Sequence, residues 1–325
     1  FFIKTTKDPA LYILKMAKRS AENGDYAGGL FLINKSKQQF STTKQYNEMM
    51  KVHNFELGFY NTFKRWKKHL KTTSNIVALG KMKIVEKELI LEAVEKLKAH
   101  AGSLQKKIVR NNKSGFTKFV QNIYNNTLIY FDALIGLDRK FAYLYLYYQG
   151  ETALSSKDYL RGKNYYKKSI SFVLENKKES AKLAIAQKSI DSLLYMIEKS
   201  KDSAYLDTRF AYMANTTLFP TSKKSRAIYP RYFNLELKDN KHDQARVILN
   251  SYIANFKKDN KTQQVLYIGL VDSFIALRRT GVLAKTIKEM KSGFLSFKPI
   301  YIEKTEVTLG NILFKKFYKL EKSGD

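Results

Sequence analysis

The sequence predicts an all-α protein, built as an irregular α-solenoid of antiparallel helical hairpins. Apolar residues recur with a period near 3.6 along most of the 325 residues, as they do on one face of a helix. The chain contains only 4 Pro and 15 Gly, too few for the turns that a β-sandwich needs about every 8–12 residues. Strict alternation of apolar and polar residues, the mark of a half-buried strand, is nearly absent. A generic antiparallel helical bundle is the alternative.

The helices follow one another with short breaks. Asp8 and Pro9 form an N-cap and first-turn pair, so the first helix is predicted to begin there, with Leu11 and Leu14 on its apolar face. The residues 24–26 break this helix and start the next one. A single long helix is predicted over 43–70. Further helices are predicted over 84–100, 115–136, 139–154, 158–174 and 178–199.

The stretch 215–231 differs in composition from the rest of the chain. It contains Pro220 and Pro230 among hydroxyl and cationic residues, which is typical of a connection between domains. We predict a linker or hinge here, between an N-terminal helical-repeat region (1–214) and a C-terminal one (232–325). Helical patterns then resume as 231–238 with 242–256, as 262–279 with 282–292, and as a final helix over 301–321.

Two distant stretches share one pattern of small, aromatic and apolar residues at equal spacings. The matched pairs are Ala17 with Gly150, Tyr26 with Tyr159, Gly29 with Gly162, Ile33 with Tyr166, and Ser36 with Ser169. Two antiparallel helices approach closely only where their side chains are small, and large residues one turn further on fill the groove to the next hairpin. The pattern therefore predicts a repeated hairpin in which both tyrosines belong to the core.

These spacings resemble the tetratricopeptide repeat, a helical hairpin of 34 residues. Residues 266–293 are closer to a pentatricopeptide repeat, with Gly281 at the turn and Met290 near the end of the second helix. The resemblance covers about four hairpins, under half of the chain, and is clearest at 10–42 and 143–176. It implies a stack of hairpins that binds RNA or protein, although the spacing between units is too irregular for a regular array.

The sequence offers no anchor for catalysis. The absence of Cys excludes disulfides and thiolate metal sites. The four histidines, His53, His69, His100 and His242, lack the spacing of metal ligands and are predicted at the surface or at helix ends. Nucleophile-elbow and phosphate-loop motifs are absent as well. We therefore predict no enzyme activity, no cofactor and no metal, and no membrane-spanning segment because no run of about 18 apolar residues exists.

Charge is the remaining signal. The chain has 59 Lys and Arg against 29 Asp and Glu, a net charge of +30, which favours a polyanionic partner. Codon bias could explain the preference for Lys over Arg, but not the shortage of acids. Cations interleaved with aromatic residues are predicted to bind nucleic acid. They are Lys64, Arg65, Lys67, Lys68, Lys106, Lys107, Arg110, Lys163, Lys167, Lys168, Lys223, Lys224, Arg226 and Arg231.

Two functions remain open. The first is a non-catalytic, RNA-associated component of a large ribonucleoprotein, such as a mitochondrial ribosome, or an organellar RNA factor. It would contact rRNA or mRNA through backbone and shape, together with neighbouring proteins, and the resemblance to such proteins points to mitochondria. The second is a tetratricopeptide-type scaffold that grips an acidic protein partner. Its setting would be a bacterial periplasmic or membrane-associated assembly, or the cytoplasm.

Overall fold

The computed structural model describes residues 9–82, 84–111, 117–175, 179–200 and 205–323. Within these ranges the chain forms fifteen α-helices and no strand. It divides into two compact units, an N-terminal unit (1–201) and a C-terminal unit (202–325). The prediction of an all-α chain of helical hairpins is confirmed.

The N-terminal unit contains nine helices within its described residues. Their bounds are α1 Pro9–Glu22, α2 Tyr26–Thr42, α3 Tyr46–Thr62, α4 Trp66–Lys81, α5 Lys87–Asn111, α6 Lys118–Leu137, α7 Ala142–Ser155, α8 Tyr159–Glu175 and α9 Ser180–Ser200. Each odd-numbered helix up to α7 packs on the even-numbered helix that follows it and on the next odd-numbered helix. The odd-numbered helices α1 to α9 therefore form one continuous layer, which we call the odd-helix layer.

The C-terminal unit repeats this plan over a shorter length. Its helices are α10 Tyr205–Leu218, α11 Lys223–Lys238, α12 His242–Asn255, α13 Asn260–Ala276, α14 Thr280–Lys291 and α15 Pro299–Ser323. The pairs α11–α12 and α13–α14 form hairpins, and α11 also contacts α13 directly. This is the packing rule of a helical-repeat protein, in which each hairpin buries its apolar face only against its neighbours.

One backbone path recurs at six turns between helices. Each contains a residue with left-handed φ, between 52° and 73°; they are Gly24, Lys44, Lys64, Lys157, Asn240 and Arg278. The N–H of the residue that follows donates to a carbonyl five positions earlier, as from Arg65 to Tyr60 at 2.8 Å. This is the Schellman motif, which satisfies the last carbonyls of one helix and reverses the chain at once.

Five of the six helices that follow these turns, all except α3, bury the same three positions. Counting from the first residue of α2, α4, α8, α12 and α14, the residues three, seven and ten places on are buried. They are Gly29, Ile33, Ser36; His69, Thr73, Ile76; Gly162, Tyr166, Ser169; Ala245, Leu249, Tyr252; and Leu283, Ile287, Met290. The predicted repeat is confirmed, and it extends to the α3–α4 hairpin, which the sequence did not reveal.

The matched glycines sit where helices approach most closely. A Cβ atom on Gly29 would lie 2.7 Å from the ring of Phe59, on α3 of the next hairpin. A Cβ atom on Gly162 would overlap Met196 on α9 and would meet Ala153 on α7 at 3.4 Å. Because each glycine lacks a Cβ atom, the partner helix can approach closely and a large side chain from outside the hairpin fits beside it.

A buried carboxylate joins the first two hairpins. Glu56 on α3 is completely buried. It accepts hydrogen bonds from Lys37 at 2.6 Å and Tyr60 at 3.0 Å, and it pairs with His53 at 2.6 Å. Burial raises the pKa of Glu56, but the bond to His53 and the charge of Lys37 outweigh burial and hold that pKa below its usual value. The ion therefore stays charged and fixes α2 against α3.

Two sequence predictions differ from the structure. The helix predicted over 43–70 is two helices, because the Schellman turn at Lys64 reverses the chain between α3 and α4. The stretch 215–231, predicted as a linker, is the end of α10, a short turn and the start of α11, and the division between units lies at 201–202. Ser222 makes this helix start possible because its hydroxyl accepts from Ser225 N. The predicted N-cap Asp8 lies outside the described residues.

A lysine in the left-handed φ region should lower the free energy of unfolding at these turns. Lys44 has φ 52°, a conformation that costs an L residue roughly 1 kcal/mol more than glycine. We expect Lys44→Gly to stabilise the N-terminal unit against urea by about 0.5–1 kcal/mol. The measurement is the unfolding midpoint by circular dichroism, with Lys44→Ala as the control that removes the charge and keeps the strain. Equal stability of the Gly and Ala variants would contradict the expectation.

Candidate nucleic-acid interface

Seven of the predicted cations lie on two segments, 64–68 and 106–110, which the contact of Lys107 with Trp66 brings together in the N-terminal unit. They lie on the α3–α4 turn, on the first turn of α4 and on the last turns of α5. Together with two aromatic residues they form a surface that we call the Trp66 patch. Its members are Tyr26, Lys64, Arg65, Trp66, Lys67, Lys68, Lys106, Lys107 and Arg110. All seven cations are exposed.

Tyr26 joins the first two hairpins within the patch. The Arg65 guanidinium lies 5.0 Å from its ring centre, and Lys68 Nζ donates to its hydroxyl at 3.0 Å. The other face of the ring stacks on Phe59 at 5.5 Å. Tyr26 is therefore partly buried in the core, and cations cover the exposed part of its ring. The sequence predicts Tyr26 in the core, but it does not predict the contact with Arg65.

Trp66 joins the second and third hairpins. The Lys107 ammonium on α5 lies 5.7 Å from the Trp66 ring, and 38% of the Trp66 side chain remains exposed. This single contact brings the cationic segments 64–68 and 106–110 together. A cation held against an aromatic face is worth about 0.5–1 kcal/mol at an exposed site, so the contact also orders the Lys107 side chain.

Two stacked imidazoles support Trp66 from below. The His100 ring lies 5.7 Å from Trp66 and 4.3 Å from the ring of His69. A hydrogen bond of 2.8 Å joins His69 Nδ1 to the Tyr130 hydroxyl on α6. His69 occupies the repeat position that holds glycine in α2 and α8, and it is 2% exposed. The predicted location at the surface or at a helix end is therefore wrong for His69, and equally for His53, which is 3% exposed within α3. His242 is buried as well, at 5% exposed, but it is the first residue of α12, as predicted for a helix end.

Both imidazoles are neutral at physiological pH. Burial lowers the pKa of His69 to about 4, with a further contribution from His100. Burial and then the positive charge of Lys107 lower the pKa of His100 to about 4. The Nε2 atom of His100 is buried without a hydrogen-bond partner, so a proton there would place an uncompensated charge beneath a cationic surface.

The predicted cations of α8 contribute less than the sequence suggests. Lys163 is buried, at 5% exposed, so its amine is not available to a macromolecule at the surface. The cause is its register, because Lys163 follows the buried Gly162 in the repeat. Lys167 is half-buried and Lys168 is exposed, and both line a shallow depression together with Phe172.

The predicted cations of the C-terminal unit lie on α11. Lys223 and Arg231 are exposed and Lys224 is half-buried. Arg226 pairs with Asp259 at 2.8 Å, and Tyr252 donates to the same carboxylate at 2.5 Å. Burial raises the pKa of Asp259, but these hydrogen bonds outweigh it and lower that pKa to about 2. Arg226 thus holds α11 to the α12–α13 turn.

A second surface was not predicted from the sequence. On the odd-helix layer, α1, α3 and α5 enclose a groove of about 390 Å³. Its floor is apolar and its rim is mostly lysine; the lining residues are Leu11, Leu14, Lys15, Lys18, Lys51, Phe55, Leu89, Glu92 and Lys96. The pattern of Leu and Lys on α1 at helical spacing was visible in the sequence, but its partners on α3 and α5 were not.

The chemistry available to these surfaces is recognition. Among the described residues no group of His, Asp and Glu could hold a metal ion. In the same ranges, no helix combines the length and the apolar character needed to cross a membrane. The Trp66 patch offers ammonium and guanidinium groups to phosphate oxygens, and the partly exposed ring of Trp66 to bases.

Comparison with known proteins assigns the chain to no family. No family model and no curated protein matches the chain. Among solved structures, a tetratricopeptide repeat protein from Parabacteroides merdae is 10% identical, with a TM-score of 0.29 over 92% of this chain and 98% of that one. The assembly chaperone of RpL4 (Acl4) is 9% identical, with a TM-score of 0.22 over 97% and 99%. The helical-repeat assignment rests on this chain's own turns and buried positions.

The imidazole pair predicts acid sensitivity at the patch. Because both folded pKa values lie below the ordinary value of 6.5, the unfolded chain binds more protons between about pH 6.5 and pH 4. The contribution of the two imidazoles to the free energy of unfolding is therefore fully present above about pH 6.5, and it is lost as the pH drops through this window. We expect a loss of roughly 4 kcal/mol from pH 7 to pH 5, about half of it from each imidazole.

Trp66 is the only tryptophan of the chain, so its fluorescence reports urea unfolding at this location. In His100→Gln the loss on acidification should be about half as large, because one titrating group is gone. A loss of the same size in this variant would assign the acid sensitivity to other groups.

Proposed function

We propose that the protein is a non-catalytic helical-repeat scaffold whose Trp66 patch binds single-stranded RNA. The contacts of three predicted cations with two aromatic rings, Arg65 and Lys68 with Tyr26 and Lys107 with Trp66, carry this proposal because they join two cationic segments. Cations from separate segments of sequence gain nothing for the fold by lying together, because like charges repel one another. A polyanion at this surface would relieve that repulsion and release its own counterions.

The geometry favours backbone and stacking contacts over the reading of base edges. The patch presents long, flexible Lys side chains, which act as point charges toward phosphate. Trp66 is partly exposed and stands on a rigid imidazole stack, so it can accept an unpaired base without losing its own support. Binding should therefore depend strongly on salt and weakly on base sequence.

Charge reversal at the patch tests the proposal. In the variant Lys64→Glu, Arg65→Glu, Lys67→Glu and Lys68→Glu, binding to a fluorescent single-stranded RNA should weaken more than tenfold at about 50 mM salt. The slope of log affinity against log salt should become shallower by about 3, because each phosphate contact on a single strand contributes about 0.7.

A matched variant controls for net charge. Lys15, Lys35, Lys188 and Lys199 are exposed residues of the same unit outside the patch, and their reversal to Glu changes the charge by the same amount. This control should retain most of the affinity. Equal losses of RNA affinity in the two variants would mean that net charge alone explains the effect. If the unchanged protein does not bind RNA at about 50 mM salt, RNA is rejected as the partner.

Protein scaffolding is the second candidate, favoured by the groove on the odd-helix layer. Its apolar floor between α1, α3 and α5 and its lysine rim fit an acidic, partly apolar peptide segment. Under this function, Lys15→Glu with Lys18→Glu should remove the binding of acidic peptides to this groove and leave RNA binding intact. Peptide binding that survives this change would place the protein partner elsewhere.

A large ribonucleoprotein, such as a mitochondrial ribosome, is the setting that we propose for the RNA-binding function. It would use both surfaces, RNA on the Trp66 patch and a neighbouring protein in the groove. A periplasmic or cytoplasmic scaffold is the setting that goes with the second candidate. Cosedimentation of the protein with ribosomal subunits or with RNA-free complexes distinguishes the two.

A further inference from the structure

The last helix of the C-terminal unit is packed along only part of its length. Near its start, the Phe297 ring lies 5.2 Å from Tyr267 on α13 and 5.9 Å from Tyr301 on α15. Gln264 on α13 also donates to the carbonyl of Leu295 at 2.7 Å. The segment before α15 thus fills the space between α13 and the first turns of α15.

Further along, the space between α13 and α15 is open. Here the two helices and the α13–α14 turn enclose a groove of about 850 Å³, which we call the α15 groove. Its apolar lining consists of Ile275 on α13 and of Ile312, Phe314 and Tyr318 on α15. In the preceding hairpin of this unit the corresponding helices, α11 and α13, are in direct contact. The groove therefore occupies a place that a helix–helix contact fills elsewhere.

The exposure of these side chains is unusual for a monomer surface. Phe314 is 72% exposed and Tyr318 is 50% exposed, and their rings stack at 6.4 Å. The neighbouring Phe317 is 71% exposed. Contiguous apolar surface of this kind marks a site of interaction, and a site built along a helix offers a straight, rigid wall.

The charges on the lining have one sign. Arg278, Lys315, Lys316 and Lys319 surround the apolar floor, and the described lining residues include no carboxylate. The polar remainder consists of Thr280, Thr308 and Asn311. A ligand that fits must therefore combine apolar groups for the floor with negative charges for the rim.

We propose that the α15 groove binds an acidic amphipathic helix of a partner protein. Apolar residues at positions i, i+3 or i+4, and i+7 of that helix would lie on Ile275, Ile312 and Phe314. Its Asp and Glu residues would face Arg278, Lys315 and Lys319. A flat membrane surface does not complement a concave groove.

A peptide array tests this inference on the full chain. The probes are acidic amphipathic helical peptides, each beside a version of the same composition whose apolar spacing is scrambled. We expect patterned peptides to bind and scrambled ones to bind at least tenfold more weakly. The variant Phe314→Ala, Lys315→Glu, Lys319→Glu should lose at least tenfold in affinity, and it should fold because all three side chains are exposed.

A matched variant at the start of the same helix and just before it provides the control. Val307→Ala, Lys304→Glu and Lys298→Glu change exposed residues outside the groove by the same chemistry, and this variant should bind as the parent does. The inference is overturned if no patterned peptide binds, if scrambled peptides bind equally, or if the two variants lose equally. Groove-dependent binding of single-stranded RNA or phosphatidylserine vesicles in place of peptides would also overturn it. The Trp66 patch is intact in both variants, so RNA binding there is tested independently.

Discussion

The left-handed turn is the constraint on which the hairpins depend. It fixes where the second helix begins, and this in turn fixes which side chains face inward three, seven and ten positions later. The rule holds whether the first of these positions carries Gly29, His69 or Leu283. Because each hairpin buries these positions against neighbours only, the stack tolerates irregular spacing and divergent residues. The regularity of this protein lies in its turns more than in its residue types.

This distinction explains how much of the fold could be predicted. The copies at 26–36 and 159–169 were visible because small residues stand at the first buried position. The copy in α4 was hidden because His69 and Thr73 look like surface residues. The turn at Lys64 was hidden for a related reason, since a lysine with left-handed φ carries none of the local signals that glycine or proline would give.

The candidate interface was predictable as segments and not as a surface. Local charge density pointed to 64–68 and to 106–110, but only tertiary packing places Lys107 against Trp66. Packing also determines which cations are exposed, and a count of charges gives no information on exposure. Lys163 is buried by packing, and Arg226 forms an ion pair with Asp259. Tyr26 shows the reverse case, because a residue correctly placed in the core also contributes to the site.

Charge alone does not select a partner for a chain of net charge +30. Every polyanion is attracted to such a surface, and salt weakens all of these attractions alike. Discrimination must come from what lies between the cations. In the Trp66 patch the partly exposed ring of Trp66 lies on two stacked imidazoles and complements a flat base. The α15 groove is concave and has Ile275 and Ile312 beside Phe314 in its floor, which complement the apolar face of a helix. Two basic surfaces with different floors can therefore hold two different partners, and this is the property required of a scaffold.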